Sequence, residues 1–173
     1  MSPSRFQEPT GGVGWQWPVL VRCPRCGALA TVAGRAVRLT CGACAHARDW
    51  DGQTRLTVTA DGDTLTLARS RGSGDWLDPR TGRTWSAQPT WPPGREPFFG
   101  TELWLQSQCC GGKLLWARNL AHLDYLRAFV AGELREGAPR FKPPSSILPT
   151  WMKEAKHRDE VVRHLDRLRQ TVP

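Results

Sequence analysis

The stretch that decides the fold reads Cys23-Pro24-Arg25-Cys26-Gly27 and, after an insert, Cys41-Gly42-Ala43-Cys44. Each C-x2-C pair turns the backbone tightly enough to aim two sulfurs at one point, and the insert lets the chain leave and return with the second pair. We therefore predict a zinc site whose ligands are Cys23, Cys26, Cys41 and Cys44. Four protein ligands leave no open position for water, so the predicted zinc is structural and not catalytic.

Short strands are predicted on both sides of these cysteines. The segments are residues 19–21, a hairpin of 29–32 and 36–40 with its turn at 33–35, and a last strand at 48–52. So small a unit has little hydrophobic core of its own. We expect the metal to supply most of its folding free energy.

The rest of the chain predicts two further hairpins and two helices. Residues 54–60 and 64–68 alternate with period two around a turn signal, whereas 76–94 read as an irregular connection. Residues 103–106 and 113–116 form the second hairpin. Asn119 caps a helix that should end near Gly137, and Thr150 caps a last helix whose buried side includes Trp151, Ala155, Val162, Leu165 and Leu168.

These elements predict an α+β fold with an N-terminal zinc ribbon, a β-hairpin middle, and a C-terminal hairpin with two helices. The predicted divisions are a flexible N-terminal segment (1–14), the zinc ribbon (15–52), the β-hairpin with its irregular connection (53–95), and the hairpin and two-helix domain (96–173). Whether the ribbon packs on the helices is left open by the sequence.

The charge of the chain favours anionic partners. Its net charge is +8, its pI is about 9.7, and twenty of its 24 basic residues are arginine. Residues 1–50 carry a net charge of +4 and residues 141–173 carry +3. This distribution suits DNA or RNA, although an arginine-rich composition also reflects a GC-rich genome.

The candidate nucleic-acid contacts fall into two groups. The ribbon group is Arg22, Arg25, Arg35, Arg38 and Arg48, and the group on the last helix is Lys153, Lys156, Arg163 and Arg167. Glu160 lies within the same stripe of that helix, so a solvated charged face is the alternative there. The flanking tryptophans, Trp15, Trp17 and Trp50, would either stack on bases or cover the underside of the ribbon and dock it.

Cys109 and Cys110 are the most unusual feature outside the ribbon. Adjacent thiols could form a vicinal disulfide, join a second metal site with His122 or His46, or pack at a hairpin turn as small apolar groups. Three His-x-Asp pairs (His122/Asp124, His157/Asp159 and His164/Asp166) lie on predicted helices, where residues two apart point to different sides. No nucleophile elbow, dinucleotide fingerprint or H-E-x-x-H occurs, so we do not expect an enzyme.

No signal peptide or membrane-spanning run is expected from the sequence. Two C-x2-C pairs and one adjacent pair point to reduced thiols and a metal, and therefore to the cytoplasm. The residues indicate no small-molecule substrate.

The first cysteine pair with Gly27, together with Cys41 and Cys44, resembles the ribbon of transcription factor IIB-type zinc-ribbon proteins. Later segments, at residues 98–105, 109–111, 115–124 and 148–153, are similar to bacterial proteins known only as containing such a ribbon. The resemblance implies an architecture and no particular activity. Ala45 departs from the pattern, because glycine is common after the second pair, and a less regular turn is expected there.

Two functions from different classes remain. The first is a non-catalytic, zinc-stabilised module that binds nucleic acid with ribbon arginines on phosphates. The second is a protein-interaction subunit whose ribbon and Trp-rich surface dock on a larger assembly. An enzyme or thiol switch centred on Cys109 and Cys110 is the least favoured hypothesis.

Overall fold

The computed structural model describes residues 5–6, 17–34, 36–60, 63–70, 76–85, 92–132, 134–135 and 148–173. Its strands are β1 (Arg5–Phe6), β2 (Val19–Arg22), β3 (Leu29–Ala33), β4 (Arg38–Thr40), β5 (Ala47–Asp49), β6 (Gln53–Ala60), β7 (Asp63–Ser70), β8 (Trp76–Leu77), β9 (Thr84–Trp85), β10 (Leu105–Cys109), β11 (Lys113–Ala117) and β12 (Leu134–Arg135). The helices are α1 (Leu120–Ala131), α2 (Thr150–Lys153) and α3 (Arg158–Gln170), with a 3₁₀ turn at Ala155–His157. The predicted α+β class, with antiparallel sheets and C-terminal helices, is confirmed.

Strands β2 to β5 form an antiparallel sheet in chain order, and the two cysteine pairs lie at its turns. We call this sheet with its cysteines the cysteine sheet. Val19, Val32 and Leu39 lie opposite one another across three strands and are fully buried on one face. The strands predicted around the cysteines are confirmed with two changes of bounds: β4 covers Arg38–Thr40 instead of 36–40, and the last strand covers Ala47–Asp49 instead of 48–52.

The predicted middle hairpin is also confirmed, as β6 paired with β7. The connection predicted to be irregular is wrong in part, because β8 and β9 extend this sheet to the order β6-β7-β8-β9. Asp78, buried between them, explains the tight turn. Its carboxylate accepts hydrogen bonds from the Arg80 amide (2.9 Å) and the Thr81 hydroxyl (2.8 Å), which closes the loop.

The second hairpin, β10 with β11, packs with α1 and α3 around the main core. Asn119 caps α1 as predicted, through a 2.9 Å bond from the His122 amide. The helix ends at Ala131, not near Gly137, because Gly132 adopts extended backbone (ψ 125). Leu134, assigned to the helix by the periodicity, lies instead in β12. No described helix is long and apolar enough to cross a bilayer.

Strand β12 pairs in parallel with β1. The N-terminal segment 1–14 is predicted to be flexible, yet Arg5–Phe6 within it is a strand that pairs with Leu134–Arg135. The sequence does not predict this pair, because a strand of two residues is too short to show the period-two alternation of a strand.

The predicted last helix is interrupted. Glu154 has extended backbone (φ −79, ψ 129), which separates α2 from the 3₁₀ turn and α3. The interruption shifts the buried face, so that Val161 is buried and Ala155 is exposed, whereas Leu165 and Leu168 are buried as predicted. The single continuous helix face assumed for Lys153, Lys156, Arg163 and Arg167 is therefore wrong.

The cysteine sheet is joined to the C-terminal unit through the outer edge of β2. The Leu20 amide donates to the Arg118 carbonyl (2.7 Å), and the Leu20 carbonyl accepts from the Trp104 amide (2.9 Å). The Arg22 amide donates to the Glu102 carbonyl (2.8 Å). The Leu20 side chain belongs to the main core. The cysteine sheet is thus held against the second hairpin and does not swing free.

Candidate metal centre

The first cysteine pair forms a compact turn that aims backbone amides at sulfur. The Cys23 amide donates to the Ala28 carbonyl (2.8 Å), and the Gly27 amide donates back to the Cys23 carbonyl (2.9 Å). The Arg25 amide lies 3.4 Å from Cys23 Sγ. Gly27 closes the turn in the left-handed region (φ +76), which glycine adopts at little cost.

The second pair repeats this turn in part. The Cys41 amide donates to the His46 carbonyl (2.9 Å), as the Cys23 amide does to Ala28. Ala45 takes the place of Gly27 and adopts the same left-handed region (φ +54). The bond from the Gly27 amide to the Cys23 carbonyl has no Ala45 counterpart among the described hydrogen bonds, so the turn is less regular, as expected, and Ala45 carries the strain of a positive φ.

The four sulfurs converge at distances that suit one ion. Sγ of Cys23 lies 3.7 Å from Sγ of Cys44, and Sγ of Cys26 lies 3.7 Å from Sγ of Cys41. All four atoms lie within 4.8 Å of one another. A tetrahedral ion with metal–sulfur bonds of about 2.3 Å separates its ligands by about 3.8 Å, whereas a disulfide would need about 2.05 Å. These four cysteines can therefore hold a metal ion.

Local hydrogen bonding already favours one thiolate. Although desolvation acts to raise it, the pKa of Cys23 is lowered to about 7, because the amides of Arg25 and Cys26 donate to its sulfur. The pKa of Cys26 is raised to about 12: the Ala28 amide lowers it, but the contact with Cys44 and desolvation outweigh that bond. Two neighbouring thiolates therefore repel each other, and a bound cation would offset that repulsion.

Replacing Ala45 with glycine should stabilise the cysteine sheet by about 1 kcal/mol, because the left-handed backbone costs an ordinary residue roughly 1–2 kcal/mol and glycine's extra unfolded-state entropy offsets part of the gain. The midpoint of denaturant unfolding measures the change. Ala43→Gly in the same turn is the matched control, since Ala43 is exposed and does not have a positive φ. It should destabilise the fold, and equal effects of the two substitutions would contradict the strain at Ala45.

The ribbon arginines do not share one surface. Arg22 and Arg38 lie on the outer face of the cysteine sheet, whereas Arg48 lies opposite buried Leu39 on the other face. Arg38 is paired with Asp49 through two bonds, of 2.9 and 3.0 Å. Arg35 lies outside the described residues.

Arg22, Arg25, Arg38 and Arg48 are all exposed, and Arg38 is the one of the four held by the carboxylate of Asp49. The Arg22 guanidinium lies 5.0 Å from the centre of the Trp104 ring, and that of Arg48 lies 5.6 Å from the Phe99 ring. Arg25 projects from the first cysteine turn. Stacking on a ring fixes the guanidinium plane while leaving its N–H edge to solvent.

The basic side chains predicted on the last helix are dispersed. Lys156 pairs with Glu154 at 3.0 Å in the 3₁₀ turn, and Lys153 ends α2. Arg163 and Arg167 are exposed one turn apart on α3, where their Nε atoms donate to main-chain carbonyls.

The tryptophans near the cysteine sheet pack mainly within the protein. Trp50 lies 5.0 Å from the Phe98 ring, edge-on, and its indole nitrogen donates to the Gln53 carbonyl (2.7 Å). Trp17 lies 5.7 Å from the same ring and stays 37% exposed. Trp15 lies outside the described residues.

The hairpin turn places Cys109 and Cys110 as free, buried thiols. Burial, followed by the contact with Cys110, raises the pKa of Cys109 to about 12. Burial also raises the pKa of Cys110. Neither thiol is activated. Their predicted neighbours, His122 and His46, are not the ones that approach: Cys110 groups instead with His157 and Glu160.

The His-x-Asp pairs do not act together. Asp124 pairs with Arg169, Asp166 pairs with Arg127 at 2.6 Å, and His164 Nδ1 lies 3.0 Å from the Ser107 hydroxyl. His164 is expected from the sequence to pair with Glu160 on the surface, but Glu160 accepts from the Cys110 amide instead.

A cavity that the sequence did not reveal lies beside α1. Its volume is about 300 Å³, and its polar lining includes Arg118 and His122 among Trp116, Tyr125 and Met152. Burial and the nearby Arg118 charge lower the pKa of His122 to about 4, so the imidazole is neutral. Its Nδ1 accepts from the Arg118 amide at 3.2 Å.

The chain matches no protein-family model, no curated protein and no solved structure in the comparisons made.

Proposed function

We propose that the protein is a non-catalytic, zinc-stabilised module that binds nucleic acid through arginines around its four-cysteine centre. The observation that carries the proposal is the set of exposed guanidinium groups of Arg22, Arg25 and Arg48, which lie in the segment that holds the four cysteines. Residues 1–50, which contain this centre, have a net charge of +4.

Zinc is the ion that this site fits best. Tetrahedral sets of four thiolates select zinc or iron, and a closed shell between two cysteine turns suits the structural zinc of a ribbon. The order of the strands around two cysteine turns supports membership of the transcription factor IIB-type ribbon proteins of bacteria. Reduced thiols in such a site fit the cytoplasm.

Stacked arginines are suited to phosphate. A guanidinium held over Trp104 or Phe99 loses less side-chain entropy when it binds, and its N–H fork matches the oxygens of a phosphate. Arg38 is a weaker candidate because Asp49 already neutralises it. Since Arg22 and Arg48 lie on opposite faces, a bound strand would pass around the edge of the cysteine sheet that carries Arg25.

Protein docking is the second candidate. Trp17 and Leu77 are the large hydrophobic side chains exposed among the described residues, at 37% and 42%. An exposed ring and an exposed leucine suit a partner surface. Co-purification of one stoichiometric protein partner that is lost on Trp17→Ser would favour this function.

Binding to a fluorescent single strand and a duplex at several salt concentrations tests the proposal. We expect the logarithm of the association constant to fall linearly with the logarithm of the salt concentration, because each phosphate contact releases counterions. Arg22→Gln, Arg25→Gln and Arg48→Gln should each weaken binding roughly three- to tenfold and lower the salt slope by about 1. Arg38→Gln is the matched control and should change binding least.

Two outcomes would contradict nucleic-acid binding. One is undetectable affinity at low salt for both probes. The other is an affinity that does not depend on salt. An affinity that changes equally in all four variants would show that the nucleic acid does not contact Arg22, Arg25 and Arg48 in particular.

A further inference from the structure

A second group of metal-ligand side chains lies where the hairpin turn meets the C-terminal helices. Cys110 comes from the turn between β10 and β11, His157 from the end of the 3₁₀ turn, and Glu160 from the first turn of α3. One ligand atom of each lies within 4.8 Å of the other two. Cys110 is only 7% exposed, and the other two are partly buried.

We propose that Cys110, His157 and Glu160 form a second metal site, for a divalent ion of the zinc class, with a fourth position left for water or an external ligand. One sulfur, one imidazole nitrogen and one carboxylate oxygen form a mixed donor set that selects zinc or a neighbouring transition metal over magnesium and calcium. A site with three protein ligands can bind water or an external ligand at its fourth position, whereas the four-cysteine centre has no free position.

The backbone brings these donors together without rearrangement. His157 and Glu160 are three residues apart at the start of α3, so their side chains lie on the same side. Cys110 faces them from the hairpin turn. Ligand atoms around a tetrahedral zinc lie about 3.3–3.8 Å apart. Because the three donor atoms already lie within 4.8 Å of one another, a contraction of at most about 1.5 Å would close the site.

A neighbouring group already orients one of the ligands. The Cys110 amide donates to Glu160 Oε1 at 2.6 Å, which leaves Oε2 for a metal. His157 Nε2 lies 3.5 Å from Glu154 Oε2, an oxygen that Lys156 also contacts at 3.0 Å.

The charges that the donors would carry suit a divalent ion. On binding a metal, Cys110 would lose its thiol proton and lie as a thiolate beside the Glu160 carboxylate. A divalent ion neutralises both charges. By binding the hairpin turn and the start of α3 together, it also stabilises the folded state.

Titration of the full, zinc-filled chain with cobalt tests the site. The four-cysteine centre is first filled with one equivalent of zinc, which binds N and S donors more tightly than cobalt does. We expect one equivalent of cobalt to bind in addition to the zinc and to give the charge-transfer absorption of a single thiolate. Cys110→Ser should remove that absorption, and His157→Gln and Glu160→Gln should each weaken cobalt binding at least tenfold.

Two features keep the test decisive. Glu160→Gln retains an oxygen for the Cys110 amide, so it should fold even if Cys110→Ser does not. His164→Gln lies one turn further along α3, against Ser107, and should leave cobalt binding unchanged. The proposal is overturned if the zinc-filled protein takes up no cobalt. It is also overturned if cobalt binds to the Glu160 and His157 variants as tightly as to the unaltered protein. Nucleic-acid binding is measured separately and is independent of either result.

Discussion

Cys41→Ser should abolish metal binding at the four-cysteine centre and unfold the cysteine sheet. Binding of zinc to four thiolates contributes about 10–16 kcal/mol in small zinc domains, which matches or exceeds the whole stability of a typical domain at about 5–15 kcal/mol. Cys23 and Cys41 are also two of the nine buried residues in the core cluster of the sheet, so losing the ligand set disturbs that core as well. Metal removal by a chelator should have the same effect.

Amide hydrogen exchange and metal analysis measure this result. Protection should be lost in β2 to β5, whereas β10, β11, α1 and α3 should keep most of theirs, because the buried residues of their core include only Leu20 from the cysteine sheet. Cys109→Ser is the matched control: it removes a buried thiol that belongs to neither group of ligands. Protection that persists in β2 to β5 of the Cys41 variant would show that the sheet does not depend on metal.

The sequence was most informative where structure is encoded locally. Two C-x2-C pairs fix their own turns, and period-two alternation with a turn signal fixes the middle hairpin, so both could be predicted from residues near in sequence. The cap at Asn119 is local in the same sense. What these patterns predicted about strands and the ligand atoms agrees with the geometry.

Tertiary contacts were beyond the same patterns. Cys110 and Glu160 are 50 residues apart, and only the packing of α3 on the hairpin brings them together. His157-x-x-Glu160 at helical spacing was the available signal, but it could not identify Cys110 as the third donor. Likewise, the nearness of five arginines in the sequence does not say which face each occupies, and strand pairing places Arg48 on the opposite face from Arg22.

Glu96→Ala should be among the most destabilising substitutions outside the metal ligands. Glu96 is 1% exposed and has no cation opposite it in the bonds described; its carboxylate instead accepts from four donors. The amides of Phe98 (2.7 Å), Phe99 (2.8 Å) and Thr101 (3.0 Å) and the Thr101 hydroxyl (3.0 Å) supply them. Removing the acceptor leaves buried donors unsatisfied, and we expect a loss of about 3–5 kcal/mol.

The loop that Glu96 closes makes this loss informative about function. Phe98 packs against Trp50, and Phe99 lies beneath the Arg48 guanidinium. In Glu96→Gln the amide oxygen can keep the three bonds made to Oε1, and the NH2 group then faces the Phe98 amide, so the loss should be smaller than for alanine, about 2 kcal/mol.

Denaturant unfolding compares these variants with Glu102→Gln in the same segment. Glu102 is partly exposed and pairs with Arg95 at 3.2 Å, so its substitution should cost less than about 1 kcal/mol. Equal losses at the two positions would show that the buried carboxylate does not organise the loop. If Phe99 positions Arg48 for phosphate, Glu96→Gln should also weaken nucleic-acid binding while leaving the metal content unchanged, because its four donors lie outside the cysteine turns.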